Sequence, residues 1–479
     1  MQTKSAFIYR SIEYLAWFLI FMLIESSANT RVGEVIGGEK VELFYGIFIL
    51  CTAAGFLLFG AIGRIEIKSR LCGFLPIVLG MITVGLFCCV NVSIVVIVGS
   101  ACALLSMGYL GGKVMHKLAI SYSEVKYQGT ILGLSMAGAI LLQFVMQSLI
   151  TTRVCMVISF EIILIVLFIF EYFNNIALPD AENENIEVEV TNSEMKRIWV
   201  YVLATALMTI ILSLNDAYLV DLSAHTNTVD LFSWVRLFYC LSLVLAGIIY
   251  DFKNAAYFNV FVACVMMLST VAYAFMGNTA NFNIDMSIMY FYCGFYVMFL
   301  TIHFIRIASH EIKTASKLQF FIPGCGRVGR CVVTAMITFV MLILGNEISV
   351  RIMIFVSCVL AIILVMLLAV SDVLIVKENN RKIDELLAVP EKSDEIIGQE
   401  DFWSTFVDEY EFTDRECDVL EELIHTESNL QEISDKLFIS KRVVQRHITS
   451  IYEKTSCSTR IGLLQLYVEF IRKKTREIE

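Results

Sequence analysis

Apolar segments long enough to cross a bilayer as helices, about twenty residues each, recur through most of this 479-residue chain. Hydrophobic residues make up 58% of the chain and charged residues 17%, whereas charged residues make up roughly 25% of a typical soluble domain. Inside a bilayer the backbone polar groups have no water to bond, so a spanning segment of this length must be helical. The sequence therefore predicts an all-α, polytopic membrane helical bundle for most of the chain.

The apolar segments form two groups of six, separated by an acidic loop at residues 174–196. The first group is predicted at about 12–30, 42–63, 71–89, 92–112, 130–150 and 153–172, and the second at about 197–219, 231–250, 256–276, 286–305, 318–345 and 350–376. This layout resembles the six-plus-six arrangement of the major facilitator transporters. The resemblance implies a membrane domain at residues 1–376, with halves at about 1–173 and 197–376.

A short motif between the eighth and ninth segments supports the same resemblance. Gly247, Asp251 and Lys253 occupy the pattern G-x-x-x-D-[RK], which resembles a turn of that superfamily. A weaker copy from Gly60 to Arg64 lacks the aspartate. The resemblance assigns this turn to gating between inward-facing and outward-facing states.

Lysine and arginine residues gather in alternate connections between the apolar segments. Most lie at the N-terminus and in the second, fourth, central, eighth and tenth connections, and the other connections hold only Arg31, Lys40, Arg153 and Arg351. Because basic connections are retained in the cytoplasm, an even number of spans predicts a multi-pass protein of the cell membrane with both termini cytoplasmic. The apolar run at the N-terminus lacks a small-residue cleavage site, so it is predicted to be the first membrane helix.

Charged residues inside the predicted spans are candidates for a functional site, because burying them in a membrane is costly. Glu25, Asp216 and Arg236 are predicted in the outer half of the bilayer, and Arg327 and Arg330 lie deeper, in a glycine-rich stretch. One interpretation is a pocket for a small molecule or a conformational switch, since neighbouring glycines let helices approach and slide. The alternative is a set of internal ion pairs, for instance Asp216 with Arg236, that holds the bundle together.

The segment after about residue 410 is more polar than the rest of the chain and is predicted to form a small four-helix domain. Its helices are predicted near 413–425, 429–437, 441–455 and 458–470. Thr413 and Glu416 have the spacing of a capping box, and Ser440 is placed to cap the third helix. Apolar residues recur at helical intervals on both sides of Ser440, which predicts a helix, a tight turn and a second helix. The polar side of that second helix suits a DNA major groove. It carries Lys441, Arg442, Gln445, Arg446 and Thr449.

This domain resembles the LuxR-type helix-turn-helix, also called the FixJ/NarL type, over about sixty residues. The matching residues are Phe412, Thr413, Arg415, Glu416, Val419, Leu420, Glu432, Ile433, Leu437, Ile439, Ser440, Val444, His447, Ile448, Ile451, Tyr452, Lys454 and Arg460. The departures are Leu430, Ser434, Val443 and Gln445. Because Gln445 falls at a base-reading position, the operator sequence is left open.

The resemblance implies roles for individual residues. Base edges would be contacted by Gln445, Arg446 and Thr449, since glutamine suits adenine and arginine suits guanine. Phosphates would be contacted by Lys441, Arg442, His447 and Lys454, although for His447 a packed or capping imidazole is the alternative. In this family the fourth helix forms the dimer contact, for which the apolar residues are Leu463, Leu464, Tyr467 and Val468.

These patterns together predict a membrane-bound one-component transcriptional regulator, with a linker at residues 377–409 and a DNA-binding domain at 410–479. Its predicted partners are DNA, an unknown small-molecule ligand, membrane lipid and a second copy of the chain on DNA. The sequence contains no nucleotide-binding loop, catalytic triad or metal-ligand spacing, so neither a cofactor nor enzymatic activity is expected. The alternatives are a secondary transporter with a regulatory tail, and a protein-interaction module in place of the DNA-binding domain.

Overall fold

The computed structural model describes the backbone of residues 2–66, 70–122, 127–150, 152–173, 192–226, 234–255, 257–276, 282–313, 317–344, 352–369, 399–425, 430–455, 457 and 459–478. The chain divides into two compact units, Met1–Ser371 and Asp372–Glu479. Within the described residues every regular element is helical.

Twelve long helices are described in the first unit, in two groups of six along the chain. They are α1 (Gln2–Val35), α2 (Val41–Glu66), α3 (Arg70–Cys89), α4 (Ser93–Ile120), α5 (Gln128–Leu149), α6 (Arg153–Phe173), α7 (Asn192–Thr226), α8 (Leu237–Asp251), α9 (Phe258–Met276), α10 (Phe282–Lys313), α11 (Ile322–Leu344) and α12 (Ile352–Ala369).

Most of these helices have the length and hydropathy of membrane spans. In the described part of the chain ten helices are long and apolar enough to cross a membrane. Two shorter apolar helices, Gly73–Cys89 and Phe258–Val271, occupy the positions of the third and ninth predicted spans. Large apolar side chains such as Ile343 and Leu149 are exposed on the bundle surface, as contact with lipid requires. The prediction of an all-α, polytopic membrane bundle is confirmed.

Glycines let helices of the bundle approach more closely than larger residues would allow. A Cβ atom added at Gly55 of α2 would lie 2.1 Å from the carbonyl oxygen of Leu105 in α4. One added at Gly247 of α8 would lie 2.4 Å from the carbonyl oxygen of Gly129 in α5. Both contacts involve backbone atoms, which cannot rotate away. Small residues at such crossings are a common means of packing helices in membranes.

The turn after α8 fastens the crossing of α5 and α8, which joins the two groups of six helices. Asp251 accepts hydrogen bonds from the backbone N–H groups of Gly129 (2.8 Å) and Thr130 (2.7 Å) at the start of α5. It also accepts one from the Thr130 hydroxyl, at 2.6 Å. A carboxylate at a helix N-terminus satisfies unpaired N–H groups and interacts favourably with the helix dipole. The aspartate of the turn motif thus links the two halves.

We expect Gly247→Ala to destabilise the membrane domain by about 1–3 kcal/mol, because the added methyl group must push α5 and α8 apart. Thermal unfolding of the detergent-purified protein would measure the change. Gly85→Ala is the matched control, because a Cβ atom at Gly85 of α3 meets no atom within 4 Å. Equal unfolding temperatures for the two variants would show that the crossing tolerates a larger residue.

The second unit is a separate helical domain with its own apolar core. Its helices are α13 (Gln399–Glu409), α14 (Asp414–His425), α15 (Leu430–Lys436), α16 (Lys441–Thr455) and α17 (Arg460–Ile478). The residues buried in its core include Val419, Leu420, Ile433, Val444, Ile451 and Leu463. The last four of these helices correspond to the four predicted from the sequence, although α17 continues to Ile478, beyond the predicted end near residue 470.

The first helix, α13, falls in the segment predicted to be linker, residues 377–409. Its Phe406 is fully buried, with ring centroids 4.9 Å from Tyr467 and 5.1 Å from Phe470 of α17. Trp403 packs edge-on against Tyr467, with ring centroids 5.8 Å apart. The core of this unit thus extends before residue 410, the predicted start of the DNA-binding domain.

Candidate DNA-binding surface and membrane-domain site

The helices α15 and α16 form a helix-turn-helix with a tight turn between them. Phe438 in the turn has a φ of 54° and a side chain that is 95% exposed. The backbone N–H of Ile439 donates to the carbonyl of Ser434 at 3.1 Å, and the Ser434 hydroxyl donates to the carbonyl of Ile439 at 2.6 Å. Helix α16 begins directly after Ser440, whose carbonyl accepts from the N–H of Val444 at 3.1 Å. Ser434, a departure from the family pattern, therefore helps to hold the turn.

Glu416 fastens α14 to α16. The backbone N–H of Thr413 donates to Oε2 of Glu416 at 2.8 Å, and the backbone N–H of Glu416 donates to the Thr413 hydroxyl at 3.4 Å, which is the predicted capping box. The Thr413 hydroxyl also donates to Oε2, at 3.0 Å. From α16, Ser450 donates to Oε1 at 2.5 Å and Lys454 donates to Oε2 at 2.7 Å. Burial alone would raise the pKa of Glu416, but the hydrogen bonds from Lys454, Ser450 and Thr413 lower that pKa to about 2. An ionised carboxylate therefore holds α14 against α16 at neutral pH.

Helix α16 has a buried side and an exposed side. Val444 and Ile451 are fully buried in the domain core. Most of the residues predicted to contact DNA lie on the exposed side. They are Lys441, Arg442, Gln445, Arg446 and Thr449. An exposed helix side with long hydrogen-bond donors on successive turns fits the major groove of DNA.

Two of the residues predicted to contact phosphate have different surroundings. His447 is half-buried. Lys454 donates to the carbonyl of Glu411 at 2.6 Å as well as to the carboxylate of Glu416, and its Nζ lies 5.7 Å from the ring centroid of Phe412. Because these contacts engage Lys454 within the domain, we expect it to affect stability more than phosphate binding.

The apolar strip predicted on the fourth helix, α17, is partly internal. Leu463 is fully buried and Tyr467 is 9% exposed, with the ring of Tyr467 against Phe406 of α13. Leu464 and Val468 are only partly buried. Two of the four residues predicted for a dimer contact thus complete the core of their own domain, and the other two remain at its surface.

Arg460, matched to the late arginine of the family pattern, has a role that the sequence did not reveal. Its Nε donates to the carbonyl of Leu423 at 2.7 Å and its Nη2 to the carbonyl of Glu422 at 3.0 Å. Both carbonyls belong to the last turn of α14, where helix carbonyls lack partners within the helix. Arg460 therefore caps α14 from the start of α17.

Arg327 of α11 contacts helices from both halves of the membrane domain. It is 2% exposed, and its Nη2 donates to the hydroxyls of Tyr14 in α1 (2.9 Å) and Thr301 in α10 (3.3 Å). Its guanidinium carbon lies 5.1 Å from the ring centroid of Phe18 and 6.0 Å from that of Trp17. A cation at such distances is attracted by the face of an aromatic ring.

Glu25 and Arg330 belong to the same region. Glu25 interacts electrostatically with Arg330 and Arg327. It shares a side of α1 with Tyr14 and Phe18, because spacings of eleven and seven residues equal about three and two helical turns. The structure therefore brings together three of the five residues predicted for a membrane-domain site.

The other two predicted residues are Arg236 and Asp216. Arg236 is buried, and its Nη1 donates to Gln147 of α5 at 2.8 Å. Gln147 in turn donates to Ser26, the residue after Glu25, at 3.3 Å. The side chain of Asp216 lies outside the described residues, so its pairing with Arg236 stays a prediction.

A buried ionic network in the first half was missed from the sequence. Lys117 of α4 donates to Glu13 of α1 and to Glu171 of α6, both at 2.7 Å. Lys113 pairs with Glu171 at 2.7 Å, and Arg10 with Glu13 at 3.1 Å. The prediction placed both lysines in the loop after the fourth span, whereas α4 continues to residue 120 and buries them. Their spacing of four residues, which puts both on one helix side, was the available signal.

Comparison with known proteins supports the two parts of the chain separately. Residues 411–466 match the family described as bacterial regulatory proteins, luxR family. The crystal structure of the human organic anion transporter MFSD10 (TETRAN) is similar with a TM-score of 0.54 and 11% identity, over 76% of this chain and 98% of that one. No curated protein matches.

A second solved structure has the same fold. It is the crystal structure of a bacterial homologue of the iron transporter ferroportin, in an outward-facing state with soaked iron. The TM-score is 0.56 and the identity 12%, over 77% of this chain and 98% of that one. Identities this low show the fold alone. The chain thus joins a membrane bundle with the fold of these two transporter structures to a helix-turn-helix domain that matches the luxR family at residues 411–466.

Proposed function

We propose that this chain is a membrane-bound one-component transcriptional regulator, which senses a small molecule through its membrane domain and binds DNA through its C-terminal domain. The observation that carries the proposal is the exposed polar side of α16. This helix belongs to a segment that matches the luxR family, and the same chain contains a bundle with a transporter fold. A ligand that favours one arrangement of the bundle would change how the DNA-binding domains act. We also propose that the chain is not an enzyme.

The proposal requires the C-terminal domain to lie in the cytoplasm, with DNA. Basic residues at the N-terminus and in alternate connections, among them Lys4, Lys126 and Lys317, support cytoplasmic termini. Lys113 and Lys117 no longer count toward this argument, because both are buried in α4. Cleavage of the C-terminal domain by protease in inside-out vesicles, but not in right-side-out vesicles, would test the orientation.

On DNA, we propose that different residues on the exposed side of α16 contact bases and phosphates. Gln445, Arg446 and Thr449 would contact base edges, and Lys441 and Arg442 would contact phosphates. The Thr449 hydroxyl donates to the carbonyl of Gln445 at 2.9 Å in the structure, so its oxygen can still accept a hydrogen bond from a base. Long donors at positions 445 and 446 would carry most of the sequence preference.

We expect Arg446→Ala to weaken binding to a selected operator by about 10-fold to 100-fold, the equivalent of 1–3 kcal/mol for one base contact. The operator would be selected from random-sequence DNA by the segment 395–479, and affinity would be measured at fixed salt by mobility shift. Arg415→Ala is the matched control, because the Arg415 side chain is 70% exposed on α14 and pairs with Asp418. Equal affinities for the two variants would remove α16 from the DNA-reading role.

We also propose a homodimer on DNA and contact with membrane lipid. Leu464 and Val468 are the residues of the predicted dimer strip that are only partly buried. Exposed apolar side chains on the outer helices, such as Ile343 and Leu149, would contact the lipid. A two-half-site operator that binds two domains cooperatively would support the dimer.

The second candidate is a secondary transporter whose C-terminal domain only regulates it. The specific observation in its favour is the fold shared with two transporter structures. Vesicle uptake and a transcription reporter, measured with the same compounds, separate the candidates. Transcription that responds to a compound without flux supports the regulator, and uptake that is lost in Arg327→Met while transcription is unaffected supports the transporter.

A further inference from the structure

Arg327 has hydrogen-bond donors that nothing in the described part of the chain accepts. Its Nη2 serves Tyr14 and Thr301, whereas its Nε and Nη1 have no partner. Nε carries one N–H and Nη1 carries two, so three of the five donors of this guanidinium lack an acceptor. A buried donor without an acceptor is costly, and more so when it is charged.

The groups that Arg327 does contact are neutral. The Tyr14 hydroxyl donates to the sulfur of Met136 at 3.9 Å, and the Thr301 hydroxyl donates to the carbonyl of Val297 at 2.7 Å. Both oxygens therefore only accept from Arg327. The rings of Trp17 and Phe18 attract the cation without neutralising it.

Among the described side chains of this region, positive charge exceeds negative charge. In the described part of the bundle, Glu25 is the carboxylate that acts on Arg327, and it also acts on Arg330. One carboxylate facing two guanidinium groups leaves one positive charge in excess among the described side chains. An uncompensated charge is expensive inside a membrane protein, and such residues are kept where they serve a function.

A second unpartnered polar group lies on α5, which packs beside α1. Gln143 is 1% exposed, and neither its Nε2 nor its Oε1 has a partner in the described residues. The contacts of Tyr14 with Met136 and of Gln147 with Ser26 show that α1 and α5 run side by side. Gln143 therefore lies between the level of Arg327 and the level of Glu25.

We propose that Arg327 anchors a small organic carboxylate between α1, α5, α10 and α11, with its apolar part against the rings of Trp17 and Phe18. The carboxylate would supply acceptors for Nε and Nη1 and would balance the excess charge, and Gln143 would bond a polar group of the ligand. This inference rests on the proposed function, since it names the ligand class for the membrane domain. The site takes residues from both halves, so its ligand favours one arrangement of the halves.

The test uses the full chain in nanodiscs, with hexanoate and benzoate as probes and hexanamide and benzamide as their neutral counterparts. At saturating concentration, at least one carboxylate is expected to raise the unfolding temperature by about 2–5 °C more than its amide. Arg327→Met is expected to lose this shift and, without a probe, to unfold at the wild-type temperature or above, because it removes an unmatched charge. Arg153→Met is the control, since Arg153 is half-exposed and pairs with Glu34.

Three outcomes would contradict the proposed carboxylate site. The inference is overturned if no carboxylate exceeds its amide, if Arg327→Met keeps the shift, or if Arg327→Met unfolds well below wild type without a probe. Nanodiscs of phosphatidylcholine with and without phosphatidylglycerol separate a soluble ligand from a lipid headgroup, because only a lipid source would make the shift disappear with phosphatidylglycerol. Binding of the same nanodiscs to random-sequence DNA at low salt tests the proposed function separately.

Discussion

Phe406→Ala is expected to destabilise the C-terminal unit by about 3–5 kcal/mol, the usual cost of removing a buried phenylalanine from a core. Phe406 is fully buried, and its ring packs against Tyr410, Phe412, Tyr467 and Phe470. The rings of α17 would lose their contact with α13, and the cavity would be bordered by residues that cannot all collapse into it. Urea unfolding of the segment 395–479, followed by tryptophan fluorescence of Trp403, would measure the loss.

Phe438→Ala is the matched control, because the Phe438 side chain is 95% exposed in the turn between α15 and α16. A surface substitution of this kind changes stability by about 0.5 kcal/mol or less. If the two variants had equal stability, α13 would not belong to the folded core, and a segment beginning at residue 410 would fold as well as the longer one. Unequal stability would show that the folded domain includes α13.

The helix-turn-helix could be predicted because its signals are local. Val444 and Ile451 recur at helical spacing and are both buried, and Thr413 with Glu416 forms the predicted capping box. The helix α13 could not be predicted in the same way. Phe406, the fully buried residue among its described side chains, packs on Tyr467 and Phe470 of α17, some sixty positions later in the chain. A helix whose stability depends on contacts with a distant part of the chain leaves little periodicity to detect.

The membrane domain shows the same division between local and distant signals. The number of helices can be predicted because each membrane helix is a run of apolar residues that is visible in its own segment of the sequence. Partners of the charged residues depend on how the helices pack. Lys113 and Lys117 follow the apolar segment at 92–112, which predicts a loop, and only the packing shows their acidic partners on α1 and α6. The cost of burying a charge in a membrane identifies Arg327 as a candidate from the sequence. Only the packing of α1 and α10 against α11 shows which of its hydrogen-bond donors have acceptors.

Glu416→Gln is expected to destabilise the C-terminal unit by about 2–4 kcal/mol at pH 7, because the carboxylate accepts charge-assisted hydrogen bonds and its loss leaves Lys454 without its ionic partner. The effect depends on pH. Folding lowers the pKa of Glu416 from its usual value near 4.5 to about 2, so the folded state favours the ionised form. The stabilisation is therefore complete above pH 4.5 and is lost as the pH falls from about 4.5 to about 2.

Urea unfolding of the segment 395–479 at several pH values would measure both effects, and the wild type and Glu416→Gln are expected to converge in stability near pH 2. Glu421→Gln is the control, because Glu421 is exposed on the same helix. A constant difference across this pH range would contradict the role of the charge. Since Ser450 and Lys454 hold α16 through this carboxylate, a loss of stability at neutral pH also lowers the fraction of domains that can bind DNA. Glu416→Gln should thus weaken operator binding, although Glu416 lies on α14 and is not one of the residues proposed to contact DNA.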